Sequence, residues 1–440
     1  MSARPRLTVI GTGYLGATHA VCMAELGFEV LGLDVDATKV ARLNSGEVPF
    51  YEPGLPELLA KNLDTGRLRF TTSYDEIGAF GDVHFLCVGT PQKKGEMAAD
   101  MAYVDAAFSA LLPVLREGAL VVGKSTVPAG TAERLAEQLA RDAKVPGVEL
   151  AWNPEFLREG FAVEDTLTPD RLVFGVRSEV AEAKLRAAFA PVLDLPTPVV
   201  VTDFATAQLV KVSANAFLAT KISFINAMAE VCEATGGDVT QLSKALSYDT
   251  RIGGRFLHAG LGFGGGCLPK DIRAFMARAG ELGVDQALAF LKDVDDINMR
   301  RRARMVDLAR EVAGGSFGGM KVAVLGAAFK PNSDDIRDSP ALDVAATIQR
   351  QGGAVTVYDP AAMDNARVMH PELGYRESAI EAARGADLVL HLTEWAEFRE
   401  MDPAALGEVV TGKHLLDGRN ALDPVAWRAA GWTYRALGRP

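Results

Sequence analysis

The chain has 440 residues, 48% of them hydrophobic and 23% charged, enough for two or three domains and for a core that needs neither disulfides nor metals. Its formal net charge of −11 argues against a general nucleic-acid binder, which leans on a basic face, but leaves room for a small anionic ligand held by backbone N–H groups. Cys22, Cys87, Cys232 and Cys267 are far apart with no C-x-x-C pair, and the histidines show no H-E-x-x-H spacing, so no disulfide framework and no metal centre is expected. A reducing cytoplasm suits that pattern. Residues 6–10 already read as a strand, which leaves no place for a signal peptide, and no apolar run approaches the ~18 residues of a membrane span.

In chain order, residues 7–13, 29–35, 82–91 and 119–126 are predicted strands, each a short apolar run ended by turn residues. Amphipathic stretches such as 14–27 and 103–116 lie between them. That alternation predicts a parallel sheet with helices on both faces. From 203 to 235 the pattern becomes one long helix, with Asp203 as N-cap and Gly236-Gly237 as stop. Shorter helices are predicted at 239–247, 269–282 and 285–313. A second strand series follows at 321–326, 354–360, 386–393 and 413–419, echoing the first. The expected fold is α/β, with two Rossmann-like parallel-sheet lobes joined by a central helical region. The expected domains are 1–200, 201–313 and 314–440.

The first predicted strand runs into Gly11-Thr12-Gly13-Tyr14-Leu15-Gly16, and Asp34 closes the next. Gly11 makes the tight turn, Gly13 admits a pyrophosphate, Gly16 lets helix and strand pack closely, and Asp34 accepts from ribose hydroxyls. A carboxylate there repels a 2′-phosphate, so NAD is favoured over NADP. Lys39 is a mild counter-signal that also suits a ribose or pyrophosphate.

The densest unusual stretch is 260–271, GLGFGGGCLPKD. It places Cys267 just before a helix that Pro269 opens, beside Lys270, a setting that favours a thiolate. Asp271, in the first turn, can hold a water or tune the thiol. A Gly-rich turn carrying an inert cysteine is the plainer alternative. Lys211 and Asn215 project from one face of the long helix, where a cation and an amide can stabilise an oxyanion, or simply form a polar patch. Thr126, in Ser125-Thr126-Val127-Pro128, and Glu155, in Asn153-Pro154-Glu155, follow predicted strands where such sheets place ligands. Glu155 is a candidate acid or base and Thr126 a partner for water.

These segments together resemble the UDP-glucose/GDP-mannose dehydrogenase family along essentially the whole chain. GTGYLG, FYEPGL (50–55), CVGTP (87–91), STVPAGT (125–131), NPEFLREG (153–160), PDRLVFG (169–175), RIGGRFLHAGLGFGGGCLPKD (251–271), AAFKPNSDDIRDSP (327–340), TEW (393–395) and DGRN (417–420) occur in the family's order. The resemblance implies a four-electron oxidation of a nucleotide sugar's C6 alcohol by two NAD. Cys267 then captures the aldehyde as a thiohemiacetal that becomes a thioester. It implies Lys211 and Asn215 as oxyanion stabilisers, Asp271 as the water-holding carboxylate, and Glu155 with Thr126 in hydrolysis; Lys211 and a water on Asp271 are both open as first proton acceptor. For NAD it implies Gly11, Gly13, Tyr14, Leu15, Gly16, Asp34, Lys39, Thr90, Thr126, Glu159 and Arg337. For the substrate it implies Glu155, Phe156, Leu157, Glu159, Lys211, Asn215, Phe263, Gly264, Lys330 and Arg419. Arg251 matches an arginine that reaches the neighbouring subunit's substrate, so a homodimer is expected, with the long helix as its interface. Leu268 departs from the family, where an aromatic often follows the thiol. UDP-glucose is the expected substrate; UDP-N-acetylmannosamine or GDP-mannose is the alternative. A two-electron hydroxyacid dehydrogenase would need no thiol, and a non-catalytic sensor would not need Cys267, Lys211 and Asp271 together.

Overall fold

A computed structural model describes residues 4–440. Its contacts group into two compact units, one running through Ala214 with Gly280–Leu282, the other comprising Asn215–Ala279 and Gly283–Pro440.

The first unit is built on an eight-stranded sheet: β1 (Leu7–Ile10), β2 (Val30–Leu33), β3 (Leu68–Thr71), β4 (Val83–Leu86), β5 (Leu120–Gly123), β6 (Glu149–Trp152), β7 (Leu172–Gly175) and β8 (Val199–Thr202). The spatial order is β3-β2-β1-β4-β5-β6-β7-β8. Because the pleat sends alternate side chains to opposite faces, neighbouring strand residues enter different cores. Leu7, Val9, Val83 and Phe85 join one buried cluster, and Ile10, Leu31, Leu86 and Val121 join another. Burial on both faces explains why these strands are continuous apolar runs. The order reverses between β1 and β4, and such a switch point opens a crevice at the strands' C-terminal ends.

The sheet departs from the expected all-parallel arrangement once. β6 and β7 pair antiparallel through Trp152 and Gly175. Strands β3, β7 and β8 were not expected from sequence. β3 and β8 are the sheet's edge strands and expose part of their length, so their apolar signal is weak.

The long helix spans Phe204–Thr235. Asp203 starts it, its carboxylate accepting from Thr206 N at 2.7 Å. Gly236 stops it at φ 76°, with Gly237 N returning to Cys232 O at 3.0 Å.

In the second unit, helices Val239–Ser247, Leu268–Glu281 and Phe290–Val312 precede a six-stranded parallel sheet. Its strands are β9 (Lys321–Leu325), β10 (Ala354–Tyr358), β11 (Gly374–Tyr375), β12 (Leu388–His391), β13 (His414–Asp417) and β14 (Thr433–Ala436), in the order β11-β10-β9-β12-β13-β14. The helix expected over 285–313 is broken: Asp285–Leu288 forms a 3-10 turn before the helix from Phe290. The fold class is α/β with two sheets and the long helix between them in the chain.

Candidate functional site

In the first unit, Gly11 leaves β1 at φ 87°, a conformation costly for any side chain. A Cβ on Gly16 would stand 1.8 Å from Gly11 O, so the close helix–strand packing assigned to that glycine is present. Nothing lies within 4 Å of where a Cβ of Gly13 would be. Gly13 also begins helix Tyr14–Glu25 without a side-chain cap, so the first-turn N–H groups face open space that suits a pyrophosphate. Leu15 packs against the core behind them.

Asp34 gathers the turn around its carboxylate. Oδ2 accepts from Thr12 N at 2.9 Å, Thr12 Oγ1 at 3.1 Å and Lys39 Nζ at 2.9 Å, and Oδ1 accepts from Asp36 N at 3.1 Å. Burial pushes the carboxyl upward, but Lys39 and these N–H groups outweigh it and hold Asp34 below the usual carboxylate range. The residues present therefore fit a dinucleotide with an unphosphorylated ribose.

Tyr14 turns its hydroxyl to the Glu52 carboxylate, which also accepts from Gly160 N and Ala162 N, each at 2.7 Å. Burial, and then the Glu52 bond, push the Tyr14 phenol far up, so it stays neutral. Glu52 lies in the FYEPGL segment, where the sequence offered no role for it. Thr90 Oγ1 donates to Thr126 O at 2.7 Å, joining the loops after β4 and β5.

Glu155 and Lys211 form a largely buried ion pair at 2.9 Å. Glu155 also accepts from Leu157 N at 2.6 Å. Burial raises the Glu155 carboxyl, yet Lys211 wins and keeps it ionised. The Phe156 ring lies between 3.8 Å from the Arg171 guanidinium and 5.7 Å from Lys211 Nζ, centroid distances that permit cation–π contact. Glu159 is half-buried, near enough to Tyr14 for its charge to help raise that phenol. Sequence reasoning missed Lys124, whose Nζ donates to Asn153 Oδ1 at 2.8 Å. Burial lowers its pKa to about 8. The lysine in ALVVGKST, inside an apolar strand end, was the available signal.

In the second unit, Cys267 is exposed whereas Cys22, Cys87 and Cys232 are buried. It precedes helix Leu268–Glu281, and its carbonyl accepts that helix's first bond from Asp271 N at 3.0 Å. Pro269 is thus the second helical residue and not the first. Asp271, nearly inaccessible, accepts from Asn215 Nδ2 and from Lys270 Nζ, each at 2.6 Å. Lys211 and Asn215, expected to act as one polar pair, thus engage different carboxylates.

The loop before the thiol is held by its neighbours. Gly265 N donates to Arg337 O at 2.8 Å, and a Cβ on Gly266 would come within 2.2 Å of the Arg337 guanidinium carbon. A Cβ on Gly264 would meet Asp338 O at 2.3 Å. Phe263 is buried with Ala216, Ala219, Ile272, Leu291 and Val294. Arg419 donates to Leu392 O, Gly262 O and Phe329 O at 2.7–3.0 Å and lies 3.3 Å from Glu394, so its guanidinium braces the loop from within. Lys330 Nζ sits 5.4 Å from the Phe329 ring centre. Arg251 is exposed and forks onto Asp249 at 2.6 Å.

Three domain descriptions of one family match the chain in sequence. The NAD binding domain covers residues 5–193, the central domain 205–300 and the UDP binding domain 323–424. A UDP-glucose 6-dehydrogenase of Rhizobium meliloti is 39% identical, over 99% of this chain and 100% of the relative. One from Pseudomonas aeruginosa is 40% identical, over 99% and 98%. The solved structure of a UDP-glucose dehydrogenase from the archaeon Pyrobaculum islandicum superposes with a TM-score of 0.92 at 38% identity, covering 100% of this chain and 99% of that one. With all three domains matched in order and this identity over nearly full length, the chain belongs to the UDP-glucose/GDP-mannose dehydrogenase family.

Proposed function

We propose that the protein is an NAD-dependent UDP-glucose 6-dehydrogenase, converting UDP-glucose, two NAD and water into UDP-glucuronate, two NADH and three protons. The observation that carries this reading is the placement of Cys267: the accessible cysteine starts a helix, at the end of a Gly-rich loop, four residues before a buried aspartate. The relatives' names support UDP-glucose as the sugar.

NAD, when bound, takes a hydride from C6 in each of two oxidations. Helix Tyr14–Glu25 offers its first-turn N–H groups to the pyrophosphate and Asp34 its carboxylate to the adenine ribose. Lys211, paired with the Glu155 carboxylate, stabilises negative charge on the C6 oxygen, with Asn215 as amide donor. Cys267 Sγ adds to the C6 aldehyde. The resulting tetrahedral thiohemiacetal can lose a second hydride, which a planar aldehyde bound without the thiol does far less readily, and a thioester forms. Glu155, already ionised, then takes a proton from the water that attacks the thioester, Thr126 orients that water, and the thiolate leaves. Phe156, Leu157, Phe263, Gly264 and Lys330 contact the nucleotide sugar. Arg419 acts by shaping the loop at Gly262. A compartment that keeps the thiol reduced, the cytoplasm, suits this chemistry.

The protein is proposed to act as a homodimer. Phe217, Phe224 and Val231 are exposed at seven-residue intervals along the long helix, with relative exposures of 67%, 49% and 52%, an apolar seam suited to a second copy. Arg251 would then face the partner's substrate. The test is the number of NADH formed per UDP-glucose in the wild type and in Cys267→Ser. Two NADH in the wild type and a stalled variant are expected. One NADH with free aldehyde in the wild type would overturn the thiol mechanism, and no turnover would move the reading to UDP-N-acetylmannosamine or GDP-mannose.

A further inference from the structure

The loop that ends in Cys267 contains five glycines between 260 and 266, two of them in the left-handed region, Gly262 at φ 92° and Gly265 at φ 83°. Such a segment has more backbone freedom to lose than any other of its length, so a thiol at its end keeps one position only if the loop is pinned from outside. The pin nearest the middle is Asn298, on helix Phe290–Val312 and fully buried. Its Oδ1 accepts from Phe263 N at 2.7 Å while its Nδ2 donates to Phe263 O at 2.9 Å. One side-chain amide thus satisfies both polar groups of one loop residue, as a neighbouring strand would. A Cβ on Gly262 would stand 2.4 Å from that Oδ1, so the glycine is required for the approach.

One turn further on, Arg302 donates to the same Phe263 O at 3.3 Å. It also reaches Asp338 Oδ1 at 2.7 Å and Asp338 O at 3.2 Å. Asp338 belongs to the segment whose Arg337 carbonyl accepts from Gly265 N. Helix Phe290–Val312 therefore holds the loop at 263 directly and, through Asp338, helps hold the segment that covers 264–266.

We propose that Asn298 is a positioning residue for the reaction: it sets the direction in which the Cys267 thiol is presented, by fixing the Phe263 peptide. This rests on the reading of Cys267 as the reacting thiol. Asn298 touches no substrate atom in this proposal. It acts through the loop.

The experiment uses the full-length protein. Asn298→Ala removes both bonds, and Asn298→Asp keeps the acceptor for Phe263 N–H but turns a second acceptor on the Phe263 carbonyl. The rate of Cys267 alkylation by iodoacetamide, followed at that residue by mass spectrometry, is expected to change at least about fivefold in Asn298→Ala. The other cysteines, being buried, interfere little. In the same variant kcat is expected to fall at least about tenfold with the KM for NAD within about twofold of wild type, and Asn298→Asp to lie between the two. A folded Asn298→Ala with wild-type alkylation would overturn the proposal, as would a fall in kcat accompanied by an equal rise in the KM for NAD. If Asn298→Ala does not fold, hydrogen exchange in the wild type decides. The Phe263 amide should be protected like a sheet amide, and exchange at the rate of an open loop overturns the pin. Alkylation and exchange need no turnover, so a Cys267→Ser enzyme that still makes two NADH would sink the thiol chemistry separately.

Discussion

Both sheets place a left-handed glycine after their first strand, Gly11 after β1 and Gly326 after β9, and an aspartate after their second, Asp34 and Asp359. The two aspartates then part ways. Asp359 accepts from the backbone N–H groups of Ala327, Ala328, Ala361 and Ala362 and from the Trp395 indole, at 2.7–3.1 Å. Its lone pairs are spent on the fold. Two of the four donors to Asp34 are side chains, Lys39 and the Thr12 hydroxyl, which can turn aside for a ribose. The helix starts differ in the same sense. Gly13 leaves the first open, whereas residues 326–339 separate β9 from helix Pro340–Arg350, which Ser339 caps. A shared strand–glycine–aspartate signature thus makes a dinucleotide turn only where the carboxylate's partners are exchangeable and the helix start is uncapped.

Substituting the two aspartates gives the largest expected effects. Asp359→Ala strands five donors, four of them buried, and should cost about 4 kcal/mol of stability in urea unfolding, with NADH binding measured on the folded fraction nearly unchanged. Asp34→Ala should cost about 1–2 kcal/mol yet weaken NADH binding at least about tenfold by fluorescence titration. Equal stability losses with equal binding losses would erase the distinction between the sheets.

Gly13→Ala and Gly16→Ala sharpen it within one turn. The Gly16 methyl has nowhere to go and should lower the melting temperature by several degrees, about 2–3 kcal/mol. The Gly13 methyl enters open space, so the fold should survive while the dinucleotide is excluded.

Buried bases give a pH signature. Burial pushes His84, bonded to Thr8 Oγ1 at 2.8 Å, down to about 4 from 6.5. Between those values the unfolded chain binds more protons, so His84 makes stability fall as pH drops from 6.5 towards 4. Lys124, pushed down to about 8 from 10.5, likewise favours unfolding below its ordinary value, and its contribution makes stability rise from pH 8 to 10.5. Urea midpoints of the wild type against His84→Asn and Lys124→Met should lose these slopes; unchanged slopes would refute the assignments. The smallest effect belongs to the exposed pair Arg367–Glu377, where Glu377→Gln should change stability by less than about 0.5 kcal/mol.

The glycine turn, the ends of the long helix and the thiol at a helix start were legible because each depends on residues a few positions apart. Four of the strands that escaped, β3, β8, β11 and β14, are the edges of their sheets, partly exposed and with little apolar contrast. The carbonyls that Arg419 engages, on Leu392, Phe329 and Gly262, lie 27, 90 and 157 residues away, and the local sequence gives no sign of them.

The sequence by itself determined the alternation of strands and helices, the dinucleotide turn with its aspartate, and which cysteine follows the glycines. Only the tertiary structure decided the partners: Glu52 with Gly160, 108 residues away, Arg419 with Gly262, 157 away, and Asn298 with Phe263, 35 away. The reason is physical. A turn or a cap is closed by bonds within one or two helical turns, so local residue types suffice to specify it. A buried side chain instead bonds whatever polar group the packed core leaves beside it, and that neighbour exists only once the chain has folded.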